Sequence, residues 1–192
     1  MATTARADDS GVPPLLVLGD SLSAAYGIPR QQGWVALLQQ RLRQAGYPHQ
    51  VINASITGDT TAGALARLPA VLREQRPALV VIELGGNDGL RGFSLDQLRA
   101  NLERLVSLSR AEGAKVLLLG VRLPANYGSA YGERFRQVYA QVSQSTLVPL
   151  VPFFLAGVAE TREGMQADGI HPGAAAQPRI LDNVWPALQP LL

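Results

Sequence analysis

The chain has no cysteine. That single absence excludes a disulfide framework, a thiolate metal site and a cysteine nucleophile. Histidine is scarce too, with two residues in 192, so chemistry that depends on imidazole has only two places to sit. Neither charge sign dominates: the formal net charge is +2 and the arginines are scattered. This argues against nucleic acid as a partner. No apolar run approaches the roughly 18 residues of a membrane span, so no transmembrane segment is expected. What remains is a globular composition, 47% hydrophobic and 17% charged. At this length one domain is expected, with a core that needs no staples.

Residues 1–12 read as a disordered polar stub, and residues 13–192 as the single domain. Within the stub, Ala5-Arg6-Ala7 before Asp8 has the small-x-small look of a signal-peptidase site without the apolar region that should precede it. The expectation is a remnant of an export signal.

Five short apolar runs punctuate the rest, at 15–18, 51–54, 79–84, 116–119 and 147–151. Their spacing, on the order of thirty residues, is that of a βαβ unit. Helical patterns fill the gaps. Trp34, Leu37, Leu38 and Leu42 share one face, and Gly46 follows as a C′ residue. Leu65, Leu68 and Leu72 mark a second helix, bent or begun near Pro69. Ser94 and Gln97 spell a capping box, with Phe93 and Leu98 at the staple positions. Phe135, Val138, Tyr139 and Val142 give a fourth helix, and Ile180, Val184 and Leu188 a fifth. Alternating strands and helices predict an α/β fold with a parallel sheet and right-handed crossovers.

The run at 51–54 is the least apolar, and Pro149 and Pro152 flank the last; both features belong at sheet edges. The order 2-1-3-4-5 follows. In that order the chain reverses direction between strands one and three, where ligand crevices open at the carboxyl ends.

The first strand ends at Gly19-Asp20-Ser21, which delivers a small nucleophile to that rim. Serine needs a base. His49 precedes strand two and falls at the opposite rim, whereas His171 follows strand five. Asp168, three residues earlier in Asp168-Gly169-Ile170-His171, can reach back to Nδ1 and fix the tautomer. Elimination leaves Ser21, His171 and Asp168 as the catalytic candidates. Acyl transfer also needs donors for the developing oxyanion. The candidates are the N–H of Ser21, the N–H of Gly58 after strand two, and the side-chain amide of Asn87 after strand three. Asp20 and Asp88 are expected to hold loop backbone. Each piece alone is an ordinary turn or loop; their convergence on one rim carries the argument.

Taken together, Gly19-Asp20-Ser21-Leu22, Gly58, Gly85-Gly86-Asn87-Asp88 and Asp168-Gly169-Ile170-His171 resemble the four sequence blocks of the SGNH (GDSL) hydrolases. Residues 85–93 (GGNDGLRGF) and 122–128 (RLPANYG) resemble the bacterial branch that contains a multifunctional acyl-CoA thioesterase I, lysophospholipase and arylesterase. The resemblance implies a three-layer flavodoxin-like fold with helices on both faces. It also implies a Ser21–His171–Asp168 triad, oxyanion donors from Ser21, Gly58 and Asn87, no cofactor and no metal. A periplasmic or secreted location is expected, as is a monomer acting on a small acyl ester or thioester. Apolar residues at the rim (Leu90, Phe93, Leu123, Pro124, Tyr127, Phe153 and Phe154) are expected to line an acyl groove. Two alternatives stay open: an acetyl esterase of the same superfamily acting on carbohydrate or another substrate, and a non-catalytic flavodoxin-like binding module.

Overall fold

The run at 15–18 becomes β1 (Leu15–Gly19), buried along its whole length, in a computed structural model that describes residues 11–192. Most of the expected stub, with Ala5-Arg6-Ala7, lies outside the described residues. β1 has neighbours on both sides, β2 (Val51–Asn53) and β3 (Leu79–Glu83), with Leu15 aligned with both Val51 and Leu79. β4 (Lys115–Leu119) and β5 (Leu150–Val151) complete a parallel sheet in the order 2-1-3-4-5. The predicted order is the observed one. β1 and β3 lack polar alternation because helices cover both their faces.

Helix α1 (Trp34–Gln44) packs with α6 (Gln177–Leu188), while α2 (Thr61–Gln75), α4 (Leu95–Ala111) and α5 (Ser129–Thr146) pack side by side. Right-handed crossovers require this division, because the chain steps one way from β1 to β2 and the other way thereafter. The short α3 (Gly86–Leu90) follows β3 at the carboxyl rim. One core runs through all layers, from Trp34 and Leu38 through the strands to Phe135 and Tyr139.

Several local expectations change. The fifth strand is two residues long rather than five. Leu147 is instead the left-handed cap of α5, at φ 54° and 82% exposed, and Val148 donates back to the Ser143 carbonyl. Helix α2 starts at Thr61, well before Pro69, because the Thr60 hydroxyl caps it by accepting from the Gly63 N–H. Half of the capping box at α4 forms: Ser94 Oγ accepts from the Gln97 N–H, but the Gln97 side chain turns along the helix to Asn101. Phe93 is half-exposed while Leu98 is buried, so the hydrophobic staple stays open.

Candidate active site

Gly19 closes β1 for a reason of space rather than of dihedral freedom. A Cβ there would lie 2.8 Å from Ser23 Cβ and 2.9 Å from Ser55 Oγ, so only glycine lets the next turn fold back. In that turn Ala24 N–H donates to the Asp20 carbonyl and Tyr26 N–H to that of Ser21. The result sets Ser21 at the mouth of the crevice, with Asp20 and Ser23 buried behind it.

His171 arrives from the long segment between β5 and α6. Met165 and Pro172 bridge across it, and Gln166 N–H donates to the His171 carbonyl at 2.8 Å. Gly169 makes the intervening turn at φ 68°, a conformation costly for other residues. The imidazole then lies between two partners: Nε2 is 2.9 Å from Ser21 Oγ, and Nδ1 is 2.7 Å from Asp168 Oδ2. The other Asp168 oxygen accepts the N–H groups of Ile170 and His171, at 2.9 and 3.0 Å. The His171 backbone and side chain, with help from Ile170, hold the Asp168 carboxyl down at about 2. It is therefore ionised at neutral pH.

Asn87 joins the two loops that carry the other predicted oxyanion donors. Asn87 Nδ2 donates to Asp20 Oδ2 at 3.0 Å and to the Asp59 carbonyl at 2.9 Å. Those acceptors belong to the residue before Ser21 and the residue after Gly58, so the amide gathers both loops. Among the described residues, the N–H groups of Ser21 and Gly58 have no partner within the chain and are available to a ligand. Asp88 behaves as expected: it accepts from the Thr61 N–H and hydroxyl and so ties α3 to α2. His49 sits at the far end of β2, as predicted.

A cavity of about 480 Å³ opens beside Ser21 and His171, lined by Leu90, Leu123, Pro124, Phe153, Leu155 and Ile170 among others. Four of the seven predicted groove residues are in that set. Phe154 is not: it is fully buried and meets the Trp34 ring edge-on. Phe93 and Tyr127 lie outside the lining, and the Tyr127 hydroxyl donates to the Leu90 carbonyl. Among the described residues no group of three or more His, Asp or Glu side chains is arranged to hold a metal ion.

Sequence reasoning missed four residues here. Tyr26 packs its ring 4.5 Å from that of His171. Gln166 Nε2 bridges the Tyr26 and Pro172 carbonyls, at 2.8 and 3.1 Å. Glu83 and Ser23 form a buried pair behind the nucleophile turn. Only Glu83 left a signal, as a lone acid inside an apolar run.

The GDSL-like lipase/acylhydrolase family model matches residues 17–178. The chain belongs to this family. Esterase TesA of Pseudomonas aeruginosa is 63% identical over 178 residues, 93% of this chain and 89% of that protein. Thioesterase 1/protease 1/lysophospholipase L1 of Escherichia coli is 46% identical over 93% of this chain and 84% of its own length. Among solved structures, psychrotrophic esterase EstA from Pseudoalteromonas sp., inhibited by monoethylphosphonate, superposes with a TM-score of 0.88 at 42% identity. That match covers 93% of this chain and 97% of EstA. Membership in the GDSL family accounts for the four blocks falling on four loops of one rim. No helix among the described residues is long and apolar enough to cross a membrane.

Proposed function

We propose that the protein hydrolyses carboxylic esters and thioesters through an acyl-enzyme on Ser21, with acyl-CoA thioesters, lysophospholipids and aryl esters as its substrate classes. Relatives named esterase, arylesterase and thioesterase/lysophospholipase support the reaction class. The observation that carries the residue roles is the unbroken line from Ser21 Oγ through the His171 ring to Asp168.

In this reading neutral His171 takes the Ser21 proton at Nε2 as Oγ bonds to the substrate carbonyl carbon. Asp168 steadies the imidazolium and fixes Nδ1 as the protonated nitrogen. The oxyanion is met by the N–H groups of Ser21 and Gly58; the Asn87 amide, whose two N–H groups are given to Asp20 and to the Asp59 carbonyl, joins them by turning one N–H away from those acceptors. Loss of one such donor typically costs on the order of 3 kcal/mol in the transition state. The tetrahedral intermediate collapses as the C–O or C–S bond breaks, and His171 returns the proton to the leaving group. Water then repeats the sequence on the acyl-enzyme, releasing the acid and restoring the serine.

The domain in this reading spans residues 13–192, and a monomer suffices because one chain supplies every group of the site. A periplasmic or secreted location draws on the Ala5-Arg6-Ala7 pattern and on the likeness to the bacterial thioesterase branch. The test is an aryl alkylphosphonate. One equivalent is expected to attach to the peptide carrying Ser21 and to extinguish esterase activity. A binding module would take no label. An acetyl esterase would be labelled but would prefer an acetylated sugar to a lauroyl thioester.

A further inference from the structure

Behind the nucleophile lies a carboxyl group that the mechanism does not use. Glu83 ends the central strand β3 and is fully buried. Its Oε2 accepts the Ser23 hydroxyl at 2.7 Å and stands 3.5 Å from the Asp20 backbone N–H. Its Oε1 is buried with no hydrogen-bond partner among the described residues. Asp20, only 2% exposed, is better provided: Oδ1 accepts the Leu22 N–H and Oδ2 the Asn87 amide, each at 3.0 Å.

Two adjacent carboxylates in a low-dielectric interior cannot both be ionised. The hydrogen bonds decide where the one charge resides. Asp20 has a well-placed donor on each oxygen, as an anion requires; Glu83 has one short donor and a bare oxygen, which a neutral acid tolerates far better than a carboxylate. Among the described groups that act on the pair, His171 alone is able to carry positive charge, and it acts on Asp20 rather than on Glu83. Asp59 also acts on Asp20, and Tyr139 of α5 and Asp88 of α3 complete the surroundings. Burial, reinforced by Asp20, pushes the Glu83 carboxyl well above its ordinary range; burial raises Asp20 to about 6.

We propose that Glu83 is a positioning residue: held neutral, it leaves the single buried charge on Asp20, and that charge fixes which way the Asn87 amide points. A carboxylate can only accept, so ionised Asp20 holds the nitrogen of Asn87 toward itself and toward the Asp59 carbonyl. A protonated Asp20 would donate instead, and the amide could turn its oxygen toward the place where the oxyanion forms. The Ser23 bond to Glu83 meanwhile anchors the turn that carries Ser21. The functional part of this proposal rests on the acyl-enzyme reading above; its electrostatic part does not.

The test compares Glu83→Gln with Glu83→Leu. Glutamine keeps a neutral group of the same shape that still accepts from Ser23, so kcat on a p-nitrophenyl ester should stay within about threefold of the parent. Leucine removes the acceptor and should lower kcat by about tenfold or more at unchanged KM. The pH dependence of stability supplies the second readout. A carboxyl with a raised folded-state pKa stabilises fully below its unfolded value and loses that contribution as pH rises through the folded one. The melting temperature of Glu83→Gln relative to the parent should therefore climb as pH rises from the ordinary glutamate range and level only above the raised folded-state value. A glutamine variant as impaired as the leucine one, or a melting difference independent of pH, overturns the proposal. Should Glu83→Leu fail to fold, Ser23→Ala replaces it, with an expected several-fold loss in kcat at unchanged KM; an unchanged kcat there also overturns it. Phosphonate labelling of Ser21 in the parent separates the two readings. Label with no pH-dependent melting difference defeats the Glu83 proposal alone, whereas the melting difference without label defeats the acyl-enzyme reading and the functional part that rests on it, leaving the buried charge on Asp20.

Discussion

Ser21 Oγ and His171 Nε2 stand 2.9 Å apart, although 150 positions separate them in the chain. The sheet makes that contact. β1 and the segment after β5 both reach the carboxyl rim, and the crevice between β1 and β3 lets the second fold over the first. Such a contact points the hydroxyl proton at the nitrogen that must receive it.

Replacing Ser21 by alanine should lower kcat by a factor on the order of 10⁴ or more while the fold persists. Ser21 is only half-buried and its hydroxyl hydrogen-bonds only to His171 among the described residues. The melting temperature should therefore move by no more than about 2 °C, the shift of a minor surface change. Steady-state kinetics and a thermal melt on the same sample check both halves.

Asp168→Asn tests tautomer control separately. The amide preserves shape but can present N–H to Nδ1, which would leave the proton on Nε2, facing Ser21. A loss on the order of 10³–10⁴ in kcat is expected, by analogy with the same exchange in serine protease triads. Asp168 titrates at about 2, so the stability it contributes is present above its unfolded value and lost only as pH falls through about 2. Its side chain is 39% exposed, and solvent screening keeps that contribution small. Asp168 therefore does not shape the acid limb of the parent rate profile; that limb should rise with pH as Asp20, raised to about 6, ionises and as Nε2 of the His171 imidazole is freed to accept the Ser21 proton. A rate independent of pH through the imidazole range would contradict its role as base.

Gln166→Ala probes the strap that holds the histidine. The Gln166 side-chain amide joins the Tyr26 and Pro172 carbonyls, so its loss frees two loops that flank the imidazole. Misplacement of a base by a fraction of an ångström should lower kcat by about tenfold with little change in KM. Comparing the two constants on a p-nitrophenyl ester checks it. An equal change in KM would instead assign Gln166 to substrate binding.

The sheet order was legible because it depends on coarse signals: five apolar runs, helical patterns between them, and prolines that only an edge tolerates. The common rim of Ser21, Gly58, Asn87 and His171 followed from that topology, since each comes after a strand. What was hidden depends on side-chain direction. Phe153 and Phe154 are adjacent and chemically alike, yet one faces the cavity and the other meets Trp34 in the core. Glu83 was concealed by its own run, where one acid among Leu79, Val80, Val81 and Ile82 did not alter the strand pattern. Tyr26 and Gln166 act through ring packing and carbonyl contacts, which leave no spacing to read. Leu147 kept the character of a strand residue while serving as a helix cap, because an exposed leucine and a buried one are the same letter.

Apolar groups such as Leu90, Leu123, Phe153 and Leu155 line the same crevice as Ser21, so an acyl chain can lose water there as its carbonyl reaches the serine. Each methylene buried contributes about 0.8 kcal/mol, or roughly fourfold in kcat/KM when fully retained in the transition state. Across a p-nitrophenyl ester series, kcat/KM should climb from acetyl, peak at a medium chain and level or fall once further methylenes project into solvent. Leu123→Trp should shorten the space and move that peak toward shorter chains, leaving the acetyl ester within about threefold of the parent because the indole is directed at the tail rather than the carbonyl. A flat series in the parent protein would mean that these side chains merely support the loops. An unmoved peak in the variant would mean that the chain follows another course out of the crevice.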